Sequence, residues 1–163
     1  MIIRKIEESD FEAIVPIVNE WWEGREVSEL LPRLFFIYFQ NTSFIVEEKG
    51  KIIAFLIGFV SQTNSNEAYI HFVGVHPEHR NRKIGKMLYE HFFNIVNQLG
   101  CDTVRCITSP VNKNSILFHT GLGFYIENGN NQADGVHVFK DYAGAGKDRV
   151  LFTKRLDKDK TEA

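Results

Sequence analysis

The chain is poor in cysteine, poor in proline and without an excess of either charge, and each shortage removes a class of protein. Two cysteines in 163 residues, Cys101 and Cys106, stand too close together for a disulfide framework and lack metal-ligand spacing. They read as buried, reduced thiols of a cytoplasmic protein. Lys and Arg number 19 against 21 Asp and Glu, a net charge of -2, which argues against a nucleic-acid binder relying on a broad basic face. No apolar run approaches the roughly 18 residues of a membrane span. The start, Met1 to Asp10, reads as a strand and an acidic helix start rather than a signal peptide. Repeats and low-complexity linkers are also missing, so one domain over 1–156 is expected, with a charged tail over 157–163.

What is present is an apolar, aromatic-rich chain: 44% hydrophobic residues and 14 phenylalanines. Ile2 to Ile6 reads as a first strand. Ser9 and Glu12 match a capping box opening a helix whose Phe11, Ile14, Val15 and Val18 turn inward, with Pro16 set to kink it. A second helix is expected from Ser28 to Phe39. Phe44 to Glu47 and Ile52 to Ser61 form a hairpin around Glu48-Lys49-Gly50-Lys51. A strand from Ala68 to Val75 precedes a long amphipathic helix carrying Ile84, Leu88, Phe92, Ile95 and Leu99 and closed by Gly100. Thr103 to Thr108 is a strand, Ser115 to Leu122 a helix and Val150 to Arg155 a last strand. Between the last two lies a polar, Gly-rich loop, Asn128 to Arg149, long enough to suggest function.

The run from Val73 to Lys86 is a strand, a Pro-marked turn and a helix start. A helix N-terminus presents unpaired N–H groups and a partial positive charge, which grip phosphate without side chains. Arg80, Arg82, Lys83 and Lys86 add cationic charge at that point, and Gly85 allows close approach. Read by itself, the turn is equally well a solvated basic cap.

Two segments then point the same way. Arg80-Asn81-Arg82-Lys83-Ile84-Gly85 resembles the pyrophosphate motif Q/R-x-x-G-x-G/A of the GNAT acetyltransferase superfamily, matching its lead Arg and second Gly. Lys83 stands at the first Gly, which implies ordinary dihedrals at that position. Asn112, Ser115, Phe118, Gly123 and Phe124 match a second motif, with His119 where many members carry Tyr. The resemblance implies an α/β (α+β) fold, a mixed and mostly antiparallel sheet flanked by helices, with a splay between strands 4 and 5. It implies acetyl-CoA as cosubstrate, no metal, and transfer to a primary amine of a small molecule, peptide or protein by direct attack. A non-catalytic CoA-binding module of the same fold is the alternative, and a homodimer is among the assemblies such domains form.

By the same resemblance, Val73 and Val75 offer backbone groups to the pantetheine arm and the thioester oxygen, and Asn112 offers its side-chain amide. The expected cofactor contacts are Val73, Val75, Arg80, Asn81, Arg82, Lys83, Ile84, Gly85, Lys86, Asn112, Ser115, Phe118 and His119. His119 is the expected general acid. Glu67 and His71, on one face of the strand with Tyr69, Val73 and Val75, share the expectation of a base. The acceptor is expected beside Trp21, Trp22, Glu23 and Arg25 and the loop bearing Asp134, His137, Asp141, Tyr142 and Asp148, whose aromatic and acidic groups suit a protonated amine.

Overall fold

The computed structural model describes residues 1–157; the remainder of the expected charged tail lies outside the described residues. Among the described residues nine strands and five α-helices follow one another. They are β1 (Ile2–Lys5), α1 (Asp10–Ile14), α2 (Val18–Trp21), α3 (Leu34–Tyr38), β2 (Phe44–Glu48), β3 (Lys51–Val60) and β4 (Glu67–Val75). Then come α4 (Ile84–Gln98), β5 (Thr103–Thr108), α5 (Lys113–Gly121), β6 (Tyr125–Ile126), β7 (Asn131–Ala133), β8 (Val136–Val138) and β9 (Val150–Arg155). Seven strands form one sheet in the order β1-β2-β3-β4-β5-β9-β6, and β7 pairs with β8 apart from it. The pairs β1–β2, β2–β3, β5–β9 and β6–β9 are antiparallel, whereas β4 and β5 run parallel. The parallel ladder is short, joining Glu67, Ala68 and Tyr69 to Thr103, Val104 and Arg105, although both strands continue beyond it. Among the described residues no helix is long and apolar enough to cross a membrane.

The chain resolves into two compact units: Met1–Val60 with Ile70–Leu99, and Ser61–Tyr69 with the chain from Gly100 onward. In the first, Ile14, Val18 and Trp21 from the helices meet Ile45, Phe55 and Ile57 from the sheet, all buried. Helix α4 packs on β3 and buries Ile84, Leu88, Tyr89, Phe92 and Val96, one helical face. Lys49 and Gly50 both have positive φ, 53° and 74°, so the β2–β3 hairpin closes through a two-residue turn of the primed type. The second unit is centred on Val104, Cys106, Phe124, Val138, Val150 and Phe152.

Three local expectations fail for identifiable reasons. Ser9 caps nothing through its side chain; the next residue, buried Asp10, accepts instead from the Glu7 N–H at 2.7 Å. Arg4 holds that carboxylate at 2.8 Å and reaches Glu47 at 2.7 Å. Glu12, the other half of the expected box, bonds Arg33 at 2.8 Å. The expected helix from Ser28 to Phe39 is split by Pro32 into a 3-10 turn (Ser28–Leu30) and α3, because proline lacks the N–H a continuous helix requires. Pro16 separates α1 from α2 in the same way, as its position implied. Finally, the loop from Asn128 to Arg149 contains the β7–β8 hairpin, turned by Asp134-Gly135 with φ of 50° and 80°.

Candidate functional site

The turn at the end of β4 is shaped by backbone conformation more than by charge. His76 N–H bonds the Ile53 carbonyl at 2.8 Å, fixing the strand end to β3. A 3-10 turn, Pro77–His79, follows, with His76 Nδ1 accepting from the Glu78 N–H. Then the backbone enters the left-handed region twice, at Asn81 (φ 66°) and Lys83 (φ 60°). The sequence expectation of ordinary dihedrals at Lys83 is thus overturned: Lys83 adopts the conformation a glycine would take, at the usual steric cost to a residue bearing Cβ. Successive N–H groups around left-handed residues turn toward one side and make an anion-binding hollow. The first bond of α4 runs from Met87 N–H to the Lys83 carbonyl at 3.0 Å, so Ile84, Gly85 and Lys86 present N–H groups with no acceptor inside the helix. Ile84's side chain is core, so only its backbone faces this hollow's chemistry.

The four cations do not act together as expected. Arg80 is a fastening: its Nε donates to the Val75 carbonyl at 3.1 Å and its other end to the Trp21 carbonyl. Arg82 makes two 2.9 Å bonds to the Glu48 carboxylate, holding that carboxyl down at about 2, with its Nη1 also 2.8 Å from His79 Nδ1. Lys86 lies 3.8 Å from Glu90, one helical turn on. Lys83 alone of the four has no hydrogen-bond or ion-pair partner among the described residues.

Along β4 the side chains alternate as expected, with Ala68, Ile70 and Gly74 buried and Glu67, Tyr69, His71, Val73 and Val75 half-buried. Gly74 is required by packing, since a Cβ there would lie 2.6 Å from the Phe55 ring and 2.9 Å from Trp22. Trp22 and buried Trp21 therefore belong largely to the core, packing at a tilt against Phe72 and Phe55 at 5.1 and 5.8 Å. His71 has a more specific setting. Its ring lies on Phe35 at 4.4 Å, nearly parallel, and Nε2 sits 2.6 Å from the Leu30 carbonyl. A carbonyl can only accept, so Nε2 carries the proton and Nδ1 keeps the lone pair. Burial lowers the pKa of this imidazole, only partly opposed by the Leu30 contact. His71 is neutral near pH 7.

In the second unit Glu67 pairs with Arg105 at 3.4 Å, and Arg105 also holds Glu127 at 2.8 Å. Asn112 is the N-cap of α5, its carboxamide oxygen accepting from Ser115 N–H at 3.1 Å. That oxygen is committed; the amide NH2 is what Asn112 can offer a ligand. Phe118 is half-buried next to His119, and His119 is buried. Its ring stacks on Phe152 at 4.7 Å and meets Phe124 edge-on at 5.3 Å, while Nδ1 lies 2.7 Å from the Ser115 carbonyl and 3.2 Å from the Ser115 hydroxyl. Burial lowers its pKa, so the imidazolium a general acid requires is disfavoured.

A family model described as the acetyltransferase (GNAT) family matches residues 4–124. The chain belongs to the GNAT acetyltransferase family. Solved structures agree on the fold. Ard1 from Thermoplasma volcanium superposes with a TM-score of 0.76 at 18% identity, over 96% of this chain and 97% of that one. The yncA protein of Salmonella typhimurium, solved with its cofactor acetyl-CoA, gives 0.71 at 19% identity over 98% and 95%. Diaminobutyrate acetyltransferase EctA from Paenibacillus lautus, in complex with L-2,4-diaminobutyric acid and coenzyme A, gives 0.69 at 20% identity over 94% and 93%. A search of curated proteins gave no significant match. The mixed, mostly antiparallel sheet of this GNAT chain, flanked by helices, is the architecture the resemblance implied.

Proposed function

We propose that this GNAT protein is an acetyl-CoA-dependent N-acetyltransferase acting on a primary amine. The observation that carries the reading is the pair of left-handed residues, Asn81 and Lys83, directly ahead of the open N–H groups of α4. Such a hollow fits a pyrophosphate, and the charge of Lys83 adds to it. Val73 and Val75, at the half-buried end of β4, are the further cofactor contacts of this reading within the first unit. Acetyl-CoA supplies an acetyl group already activated as a thioester.

The chain's own task is then to deliver a neutral amine. Of the two residues expected as base, His71 has the better chemistry: it is neutral, its tautomer is fixed by Leu30, and Nδ1 is left as the acceptor. Glu67 is held in the Arg105 ion pair and serves to position that network. For the departing thiolate, whose conjugate thiol has a pKa near 8.5, no strong acid is needed, and His119 supports the α5 motif by packing.

Acetyl-CoA at 100 times its dissociation constant should stabilise the fold by about 2.7 kcal/mol. Thermal shift followed by thiol release across a panel of amines tests the proposal. Absence of any shift at saturating acetyl-CoA rejects it, and a shift without turnover on any amine assigns the chain to CoA binding alone. His71→Ala should lower kcat on the order of 100-fold with the acetyl-CoA shift retained.

A further inference from the structure

The base of the proposed reaction is held from outside its own strand. His71 stands on β4, yet the Leu30 carbonyl and the Phe35 ring that fix its imidazole both belong to the segment from Ser28 to Tyr38. All of these residues lie in the first unit. A shift of about 1 Å would carry the 2.6 Å contact with Leu30 beyond hydrogen-bond range. The placing of the 3-10 turn, Ser28–Leu30, therefore decides which nitrogen of His71 holds the proton.

One side chain sets that turn. Asn19, half-buried on α2, accepts through Oδ1 from Val27 N–H at 2.8 Å and from Ser28 N–H at 2.9 Å. Its Nδ2 donates to the Ser28 hydroxyl at 3.3 Å and to the Glu26 carboxylate at 3.5 Å. That carboxylate also accepts from the Ser28 hydroxyl at 3.1 Å. The Asn19 carbonyl accepts from Trp22 N–H at 3.1 Å and from Gly24 N–H at 2.8 Å, so one residue closes both ends of the exposed stretch between. The chain turns there through left-handed Glu23 and Gly24, with φ of 55° and 85°. Val27 and Leu31 are buried and keep the turn against the core, but apolar burial has no direction. The Leu30 side chain is exposed and does not aim its own carbonyl. That aim depends on the directional bonds at the start of the turn, which Asn19 supplies.

We propose that Asn19 is a positioning residue for His71: by fastening the 28–30 turn it holds the Leu30 carbonyl on Nε2 and so keeps the Nδ1 lone pair ready for the amine. The inference rests on the reading of His71 as base and deepens it.

In proton NMR the His71 Nε2–H should give a resonance that exchanges slowly with water. Asn19→Ala should speed that exchange on the order of 10-fold, about the weight of one hydrogen bond. The same variant should lower kcat on the order of 10-fold with KM for acetyl-CoA unchanged, and should have no further effect in a His71→Ala background. Asn19→Asp, which keeps an acceptor for both N–H groups, should retain most of the rate. Ile14→Val, a mild loss in the same core, controls for general destabilisation and should leave kcat and exchange unmoved. If Asn19→Ala does not fold, Asn19→Ser, smaller than Asn yet polar, carries the same measurements. Unchanged exchange, equal kcat losses with and without His71, or an Asn19→Asp no better than Asn19→Ala overturns the proposal. Full turnover in His71→Ala, or no acetylation of any amine, rejects the base reading instead. The exchange rate then decides by itself whether Asn19 holds the ring: acceleration supports the fastening and no change rejects it.

Discussion

Lys83 is a single residue held in a conformation that suits glycine, and its cost can be measured. Left-handed backbone costs an L-residue roughly 1–2 kcal/mol, and glycine gives back about 0.5–1 kcal/mol through its more flexible unfolded chain. Lys83→Gly should therefore stabilise the protein by about 0.5–1 kcal/mol, a rise of roughly 1–4 °C in Tm by calorimetry. It should also weaken acetyl-CoA binding at low salt, since a cation of the turn with no partner among the described residues is removed. His119 poses the opposite question, because its importance should appear in stability rather than in chemistry. His119→Leu, which keeps an apolar body against Phe152, should lower Tm while turnover per folded molecule changes less than threefold. A kcat loss on the order of 100-fold in soluble, folded His119→Leu would instead show that proton donation is its role.

At the level of elements, β4 depends on a missing side chain. A methyl group at Gly74 would collide with Phe55 and Trp22, both rigid rings, so Gly74→Ala should destabilise by about 1–3 kcal/mol in urea titration. Two carboxylates close the loop 139–149, Asp148 accepting from Asp141 N–H and Asp141 from Gly146 N–H, so Asp141→Ala should expose it to limited proteolysis while far-UV spectra stay unchanged. Most strands and the α4 helix were legible in the sequence because their periodicity and turn residues act locally: Lys49-Gly50 closes its hairpin, Gly100 ends its helix, and β5 and β9 fall where expected. The misreadings have a shared cause. Pro32 and Asp134-Gly135 are equally local signals that were outweighed by a long apolar run and by a polar composition. The fate of Asp141 and Asp148 is of another kind, since only the folded loop decides which charges are consumed by its own backbone.

For the molecule as a whole, three histidines respond to acid in the same direction. His71, His91 and His119 all have pKa values lowered by burial, His91 meeting the Phe44 ring edge-on at 4.5 Å. Below about pH 6.5 the unfolded chain takes up protons at these positions before the folded one does, so acidification favours unfolding. Tm should fall as pH drops from 7 to 5, and His91→Gln should reduce that slope without touching the cofactor turn. Glu48, Glu12 and Asp102 carry lowered pKa values and act in a separate, more acidic window, their contribution being lost as pH falls below the usual carboxylate range. One consequence concerns how fast the cofactor arrives. Because Glu48 cancels Arg82 and Glu90 stands by Lys86, the field the turn presents to a polyanion at a distance comes mainly from Lys83 and Arg80. Encounter with acetyl-CoA should then depend only weakly on ionic strength between 20 and 200 mM, values chosen to span a Debye length of roughly 20 to 7 Å. Capture would be governed by short-range fit to the backbone, and stopped-flow association rates across that range would show a shallow slope that steepens once Glu48→Gln sets Arg82 free.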